Sequence, residues 1–134
     1  MTADPRRKNK IVMCVDDDPT IREIVVDCLR AAGYQVIACK TGEECLTRLV
    51  RMEVQIILLD LEMPDMDGFS TLQELRRRFP KLTSKIVVLT ASKGSHDVQQ
   101  ARDLGAHDYL VKPFQVDRLI QRVDRLAGLR ASLG

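Results

Sequence analysis

Short apolar runs alternate along this chain with segments in which apolar residues recur at helical spacing. Five such runs stand out, at residues 10–15, 34–38, 55–60, 86–89 and 109–111. Strands that are apolar almost without interruption are typical of a parallel sheet covered on both faces. Because predicted helices follow every run, the alternation favours an α/β fold with a doubly wound parallel sheet.

The segments between the runs carry signals for the start of a helix. Asp18 is a good N-cap, and Pro19 suits the first helical position. Thr41 followed by Glu44 fits a capping box. We predict a short fourth helix over residues 97–104 and a last helix over residues 115–127.

Polar residues of a particular kind stand where these runs stop. Asp16 and Asp17 follow the first run, Asp60 ends the third, Thr90 follows the fourth and Lys112 follows the fifth. In an open parallel sheet, ligands bind beyond the carboxyl ends of the strands. The sequence therefore predicts carboxylates, a hydroxyl and an ammonium at one edge, a set that suits a hard cation and a phosphoryl group.

The charge and length suggest one folded unit with polar ends. Residues 1–10 contribute +3 to a net charge of +2, so the remainder is nearly neutral. We predict a basic, flexible tail over residues 1–9, a domain over residues 10–127 and a short tail over residues 128–134. The basic tail is interpreted as solvated rather than as a direct nucleic-acid contact. Without an apolar signal-peptide core or a membrane-length apolar run, a cytoplasmic location is expected.

Four cysteines occur, and their spacing does not indicate a zinc site. Cys14, Cys28, Cys39 and Cys45 form no C-x-x-C pair and have no histidine nearby in sequence. We expect free thiols that pack as small apolar groups.

Four motifs in this order resemble a known family. They are VDD at residues 15–17, DLEMPDMDG at 60–68, LTA at 89–91 and GAHDYLVKPF at 105–114. The chain resembles the receiver domains of two-component response regulators, in particular the chemotaxis-type single-domain receivers. The resemblance covers residues 9–127 and implies a flavodoxin-like (βα)5 fold with strand order 2-1-3-4-5.

The resemblance implies that Asp60 is a phosphoacceptor. One of its carboxylate oxygens would attack phosphorus and form an acyl phosphate, with a phosphohistidine of a sensor kinase or phosphotransfer protein as donor. The protein would catalyse only its own phosphorylation and dephosphorylation, so it would not be an enzyme in the usual sense. Asp17 is the expected direct metal ligand, with Asp16 binding directly or through water. Mg²⁺ suits such crowded carboxylates, Mn²⁺ being an alternative, and the resemblance adds Asp60 and the backbone carbonyl of Glu62 as ligands.

Further roles follow from the same resemblance. Lys112 would place its ammonium on the phosphoryl oxygens, and the Lys112–Pro113 bond would be cis, with Pro113 in a structural role. Thr90 would donate its hydroxyl to a phosphoryl oxygen, and Tyr109 would turn inward with it as the switch aromatic. The charge of Glu62 would alter the lifetime of the acyl phosphate in a direction that the sequence does not fix.

The first hypothesis for function is a stand-alone, phosphorylation-activated switch. It would signal to a protein target through the fourth helix, fifth strand and last helix, as a monomer or a phosphorylation-dependent dimer. That face would carry these residues: His96, Gln99, Tyr109, Arg118 and Arg122.

Three alternatives remain open. The chain could be a receiver cut from a longer protein with a DNA-binding or enzymatic output domain. It could be a phosphatase with Asp60 as nucleophile, although it is short for a substrate-recognising cap. A flavin-binding module is a weaker alternative because Asp16 and Asp17 would repel a phosphate.

Overall fold

The computed structural model describes residues 3–63, 66–91 and 95–130 of the 134-residue chain. Within those ranges, five strands alternate with five α-helices. In chain order they are β1 (Ile11–Val15), α1 (Pro19–Ala32), β2 (Gln35–Cys39), α2 (Gly42–Leu49), β3 (Ile56–Asp60), α3 (Gly68–Arg78), β4 (Lys85–Thr90), α4 (Ser95–Asp103), β5 (Asp108–Val111) and α5 (Val116–Leu126).

All strand pairs are parallel, and the strand order is β2-β1-β3-β4-β5. The predicted fold and strand order are confirmed. The register aligns the ends of the inner strands, since Val15 pairs with Leu59 and Asp60 pairs with Leu89. Side chains that follow β1, β3, β4 and β5 are therefore brought to one edge of the sheet.

The sheet is buried on both faces, as its apolar strands predict. One face packs Met13, Ile57 and Val88 against the helices α2, α3 and α4. The other packs Val12 and Leu58, with their neighbours, against α1 and α5. Every residue of β3 is buried. The central strands thus form a rigid base for the residues at their carboxyl ends.

Local signals explain where the helices start and end. Asp18 caps α1 by accepting hydrogen bonds from the N–H groups of Thr20 and Ile21, and Gly33 ends the helix with φ of 114°. Thr41 caps α2 as predicted. Predicted bounds differ from the observed ones by one or two residues. None of the helices in the described ranges is long and apolar enough to cross a membrane.

Residues 3–9 make contacts with the rest of the domain that sequence reasoning did not identify. Pro5–Arg7 form a 3-10 helix that Asp4 caps, and the Asp4 N–H donates to the Ala32 carbonyl at 3.1 Å. Arg7 makes two hydrogen bonds to the Asp124 carboxylate on α5, at 2.7 and 3.0 Å. The basic charge of this segment is therefore partly used in contacts with the body, which a local sequence pattern does not reveal.

The four thiols are free, as expected. Cys14, Cys39 and Cys45 are buried, and burial raises the pKa of each to about 12. They are therefore protonated at neutral pH and pack as small apolar groups.

Candidate functional site

Three carboxylates converge at the carboxyl edge of the sheet. Asp16 follows β1 and is fully buried, Asp17 is exposed, and Asp60 ends β3 with 2% of its surface exposed. One carboxylate oxygen from each lies within 4.8 Å of the others. The strand register that pairs Val15 with Leu59 accounts for this proximity.

Backbone contacts hold Asp16 in place. Its N–H donates to the Cys39 carbonyl at 3.1 Å, and its Oδ1 accepts from the Asp18 N–H at 3.0 Å. The Arg22 guanidinium donates to the Asp16 carbonyl at 2.7 Å. Sequence reasoning did not identify Arg22. Its position in the first turns of α1 was the one feature of the sequence that could have indicated a role near the site.

Lys112 bridges the two buried acids. Its Nζ lies 3.1 Å from Asp16 Oδ2 and 3.2 Å from Asp60 Oδ1, and 15% of its side chain is exposed. Burial opposes its charge, but the two carboxylates outweigh burial and raise the pKa of Lys112. The Lys112–Pro113 peptide is cis, as the resemblance implies. The ammonium is thus held at the acidic edge of the sheet.

The environment of Asp60 disfavours its ionised form. Burial raises the pKa of Asp60 above the ordinary range; the Glu62 N–H bond lowers it, Asp16 raises it further and Lys112 opposes the rise. A single ammonium does not compensate the crowded carboxylates. A hard divalent cation would, and the oxygen-only set of Asp16, Asp17 and Asp60 fits Mg²⁺. The Glu62 backbone carbonyl stays a predicted ligand.

Thr90 ends β4 beside this cluster and contacts a residue that the sequence did not predict for it. Its hydroxyl donates to Glu62 Oε1 at 2.8 Å. The Ala91 N–H points to the same carboxylate, at 3.2 and 3.3 Å from its two oxygens. Sequence reasoning assigned roles to the backbone carbonyl and to the charge of Glu62, but it did not predict this side-chain contact with Thr90 and Ala91.

Tyr109 lies farther along the sheet. It pairs with Val88 on β4, while Thr90 pairs with Val111. Its ring is half-buried, and the Arg102 guanidinium of α4 lies 6.0 Å from the ring centroid. The structure therefore places the predicted switch aromatic between the site edge and α4.

The predicted partner face is partly exposed and partly fixed by ion pairs. His96, Gln99 and Arg118 are exposed. Arg122 instead donates to the buried Asp108 carboxylate, which Arg125 also contacts. These ion pairs hold α5 against the start of β5.

Gly68 fits closely against the phosphoacceptor candidate. A Cβ atom at Gly68 would lie 2.6 Å from the Asp60 carbonyl oxygen, so the start of α3 approaches β3 as only glycine allows. Asp67 caps this helix through the Ser70 N–H. The Pro64 and Asp65 positions of the same motif lie outside the described residues.

Comparison with known sequences gives a consistent family match. A family model described as the response regulator receiver domain matches residues 12–124. The DNA-binding regulator RpaA of Synechocystis is 37% identical over 115 residues, which is 86% of this chain and 48% of RpaA. The transcriptional regulatory protein KdpE of Mycobacterium tuberculosis is 38% identical over 113 residues, 84% of this chain and 49% of KdpE. The chain spans about half the length of these curated relatives.

Solved structures match over nearly their whole length. The chemotaxis protein CheY4 of Vibrio cholerae superposes with a TM-score of 0.82 at 31% identity, covering 87% of this chain and 98% of CheY4. A Francisella response regulator receiver domain gives a TM-score of 0.83 at 29% identity, covering 90% of this chain and 98% of that domain.

Proposed function

Because this chain belongs to the response regulator receiver domain family, whose members are phosphorylation-activated signalling switches, we propose that Asp60 is its phosphoacceptor. The observation that supports this most strongly is the position of Lys112, whose ammonium touches buried Asp16 and Asp60 together. Because the chain belongs to the receiver family, the hypotheses of a phosphatase and of a flavin-binding module are dropped.

The proposed reaction uses Asp60 as a nucleophile. One of its carboxylate oxygens forms a bond to phosphorus while the bond from phosphorus to the donor breaks, and the donor leaves with the bonding electron pair. The donor is a phosphohistidine of a sensor kinase or of a phosphotransfer protein. Lys112 lies close enough to Asp60 to offset the charge that gathers on the transferred oxygens. The product is an acyl phosphate on Asp60.

In this proposal, a magnesium ion would offset the negative charge of the carboxylates that Lys112 leaves uncompensated. Asp16, Asp17 and Asp60 would hold it, and Mn²⁺ would substitute for it. When bound, the ion supplies charge neutralisation for the carboxylates and the phosphoryl oxygens. The protein's own part is to keep these carboxylates together through the β1 and β3 backbone.

A phosphodonor protein must bring its phosphorylated side chain to Asp60, and an apolar surface lies beside the site. A cavity of about 300 Å³ is lined by Ile21, Ile24, Val25, Lys112, Pro113 and Phe114. Ile24 on this surface is 50% exposed. This surface supports a donor that docks along α1 and the segment after β5.

The output of the switch is proposed to be a changed contact with another protein. The face formed by α4, β5 and α5 would respond when Thr90 and Tyr109 rearrange, in a cytoplasmic setting where receivers meet their kinases. RpaA and KdpE are named as transcriptional regulators, and this chain matches about half of each. An input domain of a longer regulator is therefore a second candidate, and the coding length of the gene distinguishes the two.

Intact mass after incubation with acetyl phosphate tests the proposal. We expect one phosphoryl adduct on the wild-type protein with Mg²⁺, none without Mg²⁺ and none on Asp60→Asn. Asp27→Asn, an exposed carboxylate on α1, is the matched control and should be labelled like the wild type. An adduct that persists in Asp60→Asn would contradict the assignment of the phosphoacceptor.

A further inference from the structure

The Glu62 side chain folds back over the edge of the sheet instead of extending into water. Glu62 is an exposed residue, yet its carboxylate accepts hydrogen bonds from two groups. They are the Thr90 hydroxyl at 2.8 Å and the Ala91 N–H at 3.2 and 3.3 Å. Its own backbone N–H donates to Asp60 Oδ1 at 3.0 Å. One residue therefore contacts both the phosphoacceptor and the end of β4.

This position is not explained by charge attraction alone. Asp16, Asp17 and Asp60 already crowd the same edge, and a fourth carboxylate adds to their mutual repulsion. An ordered glutamate also loses side-chain freedom. The contacts that hold it are a hydroxyl and a backbone N–H, and bonds from such donors to an anion are stronger than neutral ones. The Thr90 hydroxyl and the Ala91 N–H at the end of β4 therefore form a pair of anion-binding donors. The Glu62 carboxylate is the anion bound to them.

We propose that the Glu62 carboxylate is a resident anion that must leave Thr90 and Ala91 before Asp60 can hold a phosphoryl group stably. This inference rests on the proposed function, because it takes Thr90 as a donor to the phosphoryl oxygens. A carboxylate and a phosphoryl group present similar charged oxygens, so both cannot use the same two donors at once. Glu62 thereby sets how readily the site is loaded: its carboxylate opposes loading as long as it is bound to Thr90 and Ala91.

Two variants separate the contact from the charge. Glu62→Asp keeps the charge but is one methylene shorter, so it no longer reaches both donors. Glu62→Ala removes charge and contact together. Glu53→Ala, which removes an exposed glutamate before β3, is the matched control.

The first readout is the Ala91 amide in ¹H–¹⁵N spectra of the unloaded protein. We expect its proton resonance to move upfield in Glu62→Asp and Glu62→Ala, and to stay in place in Glu53→Ala. An unchanged Ala91 resonance in both Glu62 variants would overturn the proposed contact. This readout does not depend on phosphoryl chemistry.

The second readout is titration with beryllofluoride at saturating Mg²⁺, because beryllofluoride resembles a phosphoryl group on a carboxylate. We expect about threefold to tenfold tighter binding in both Glu62 variants, a modest effect because the residue is exposed and its bonds are partly screened. If Glu62→Asp binds beryllofluoride like the wild type, the contact does not limit loading and the proposal is wrong, since a gain in Glu62→Ala alone would come from charge. If the wild type binds no beryllofluoride, the proposed function fails, while the Ala91 shift still decides the contact.

Discussion

The residues at the carboxyl ends of the strands differ in how far the sequence revealed them. Asp16, Asp17, Asp60 and Lys112 could be predicted, because each follows a buried apolar run whose place in a parallel sheet fixes its backbone. The Glu62 contact with Thr90 could not be predicted, because it depends on the rotamer of an exposed side chain. A residue whose position is fixed by a strand can be predicted from the sequence. A contact that depends on the rotamer of a side chain cannot.

Magnesium should stabilise the wild-type protein through the acidic cluster. Because the proposed site exists only in the folded state, Mg²⁺ at ten times its Kd should add about 1.4 kcal/mol to the free energy of unfolding. Asp17→Asn, which alters the exposed member of the cluster, should lose most of this gain, and Asp27→Asn should keep it. Urea unfolding with and without Mg²⁺ measures both. Equal stabilisation of Asp17→Asn and wild type would contradict the assigned metal site.

His107 is an exposed residue, yet its ring makes a contact with the backbone. Its Nδ1 accepts from the Ile86 N–H at 3.0 Å. Burial, with the positive charges of Lys85 and Arg76, lowers the pKa of His107. Since the neutral ring is favoured in the folded state, its contribution to stability is present above the unfolded pKa of about 6.5 and is lost as pH falls through the lowered folded-state pKa.

We therefore expect the wild type to lose stability between pH 7.5 and roughly 5.5, and His107→Asn to lose less. Asparagine keeps an acceptor near the Nδ1 position without titrating. His96→Asn, at the exposed histidine of α4, should follow the wild type. Urea unfolding at several pH values gives the comparison, and parallel pH curves for wild type and His107→Asn would refute the role of the ring.

Element bounds were predictable because the caps are local. Asp18-Pro19 and Thr41 start helices where the sequence predicts them. The 3-10 helix at Pro5–Arg7 was not predicted, because its stability depends on Asp124, more than a hundred residues away. Tyr34 also donates its hydroxyl to Asp124, and burial raises the pKa of Tyr34. The contact thus joins the N-terminal segment, the start of β2 and α5.

The contact between Arg7 and Asp124 leads to a prediction about the packing of these elements. The side chains of Arg7 and Asp124 are 14% and 21% exposed. Arg7→Ala should therefore cost about 2 kcal/mol in the free energy of unfolding, because it leaves a partly buried carboxylate poorly paired. Arg6→Ala removes an arginine of the same 3-10 helix whose side chain is 44% exposed, which pairs locally with Asp4 and donates to the Arg130 carbonyl at 2.9 Å. We expect a much smaller cost there, because the pair is solvent-exposed. Similar costs for the two variants in chemical denaturation would contradict a specific Arg7 contact.

At the scale of the whole molecule, the sheet connects the site to the proposed partner face. Thr90 and Tyr109 lie on the adjacent strands β4 and β5, and Arg102 of α4 covers the Tyr109 ring. Asp108 fastens the start of β5 to α5 through Arg122 and Arg125. A change at Thr90 can therefore reach α4 and α5 through packed neighbours. The partner face stays a prediction that the family resemblance implies, whereas its ion pairs are seen only in the fold.

The measurement that tests the switch most directly is a ¹H–¹⁵N spectrum of the protein with Mg²⁺ alone and with Mg²⁺ and beryllofluoride. The account predicts shifts at the site edge that extend through Tyr109 into α4 and α5, and no such shifts in Asp60→Asn. Shifts confined to the neighbours of Asp60 would show that loading does not reach the partner face. The same shifts in Asp60→Asn would show that Asp60 is not where the switch is loaded, and either result would contradict the account.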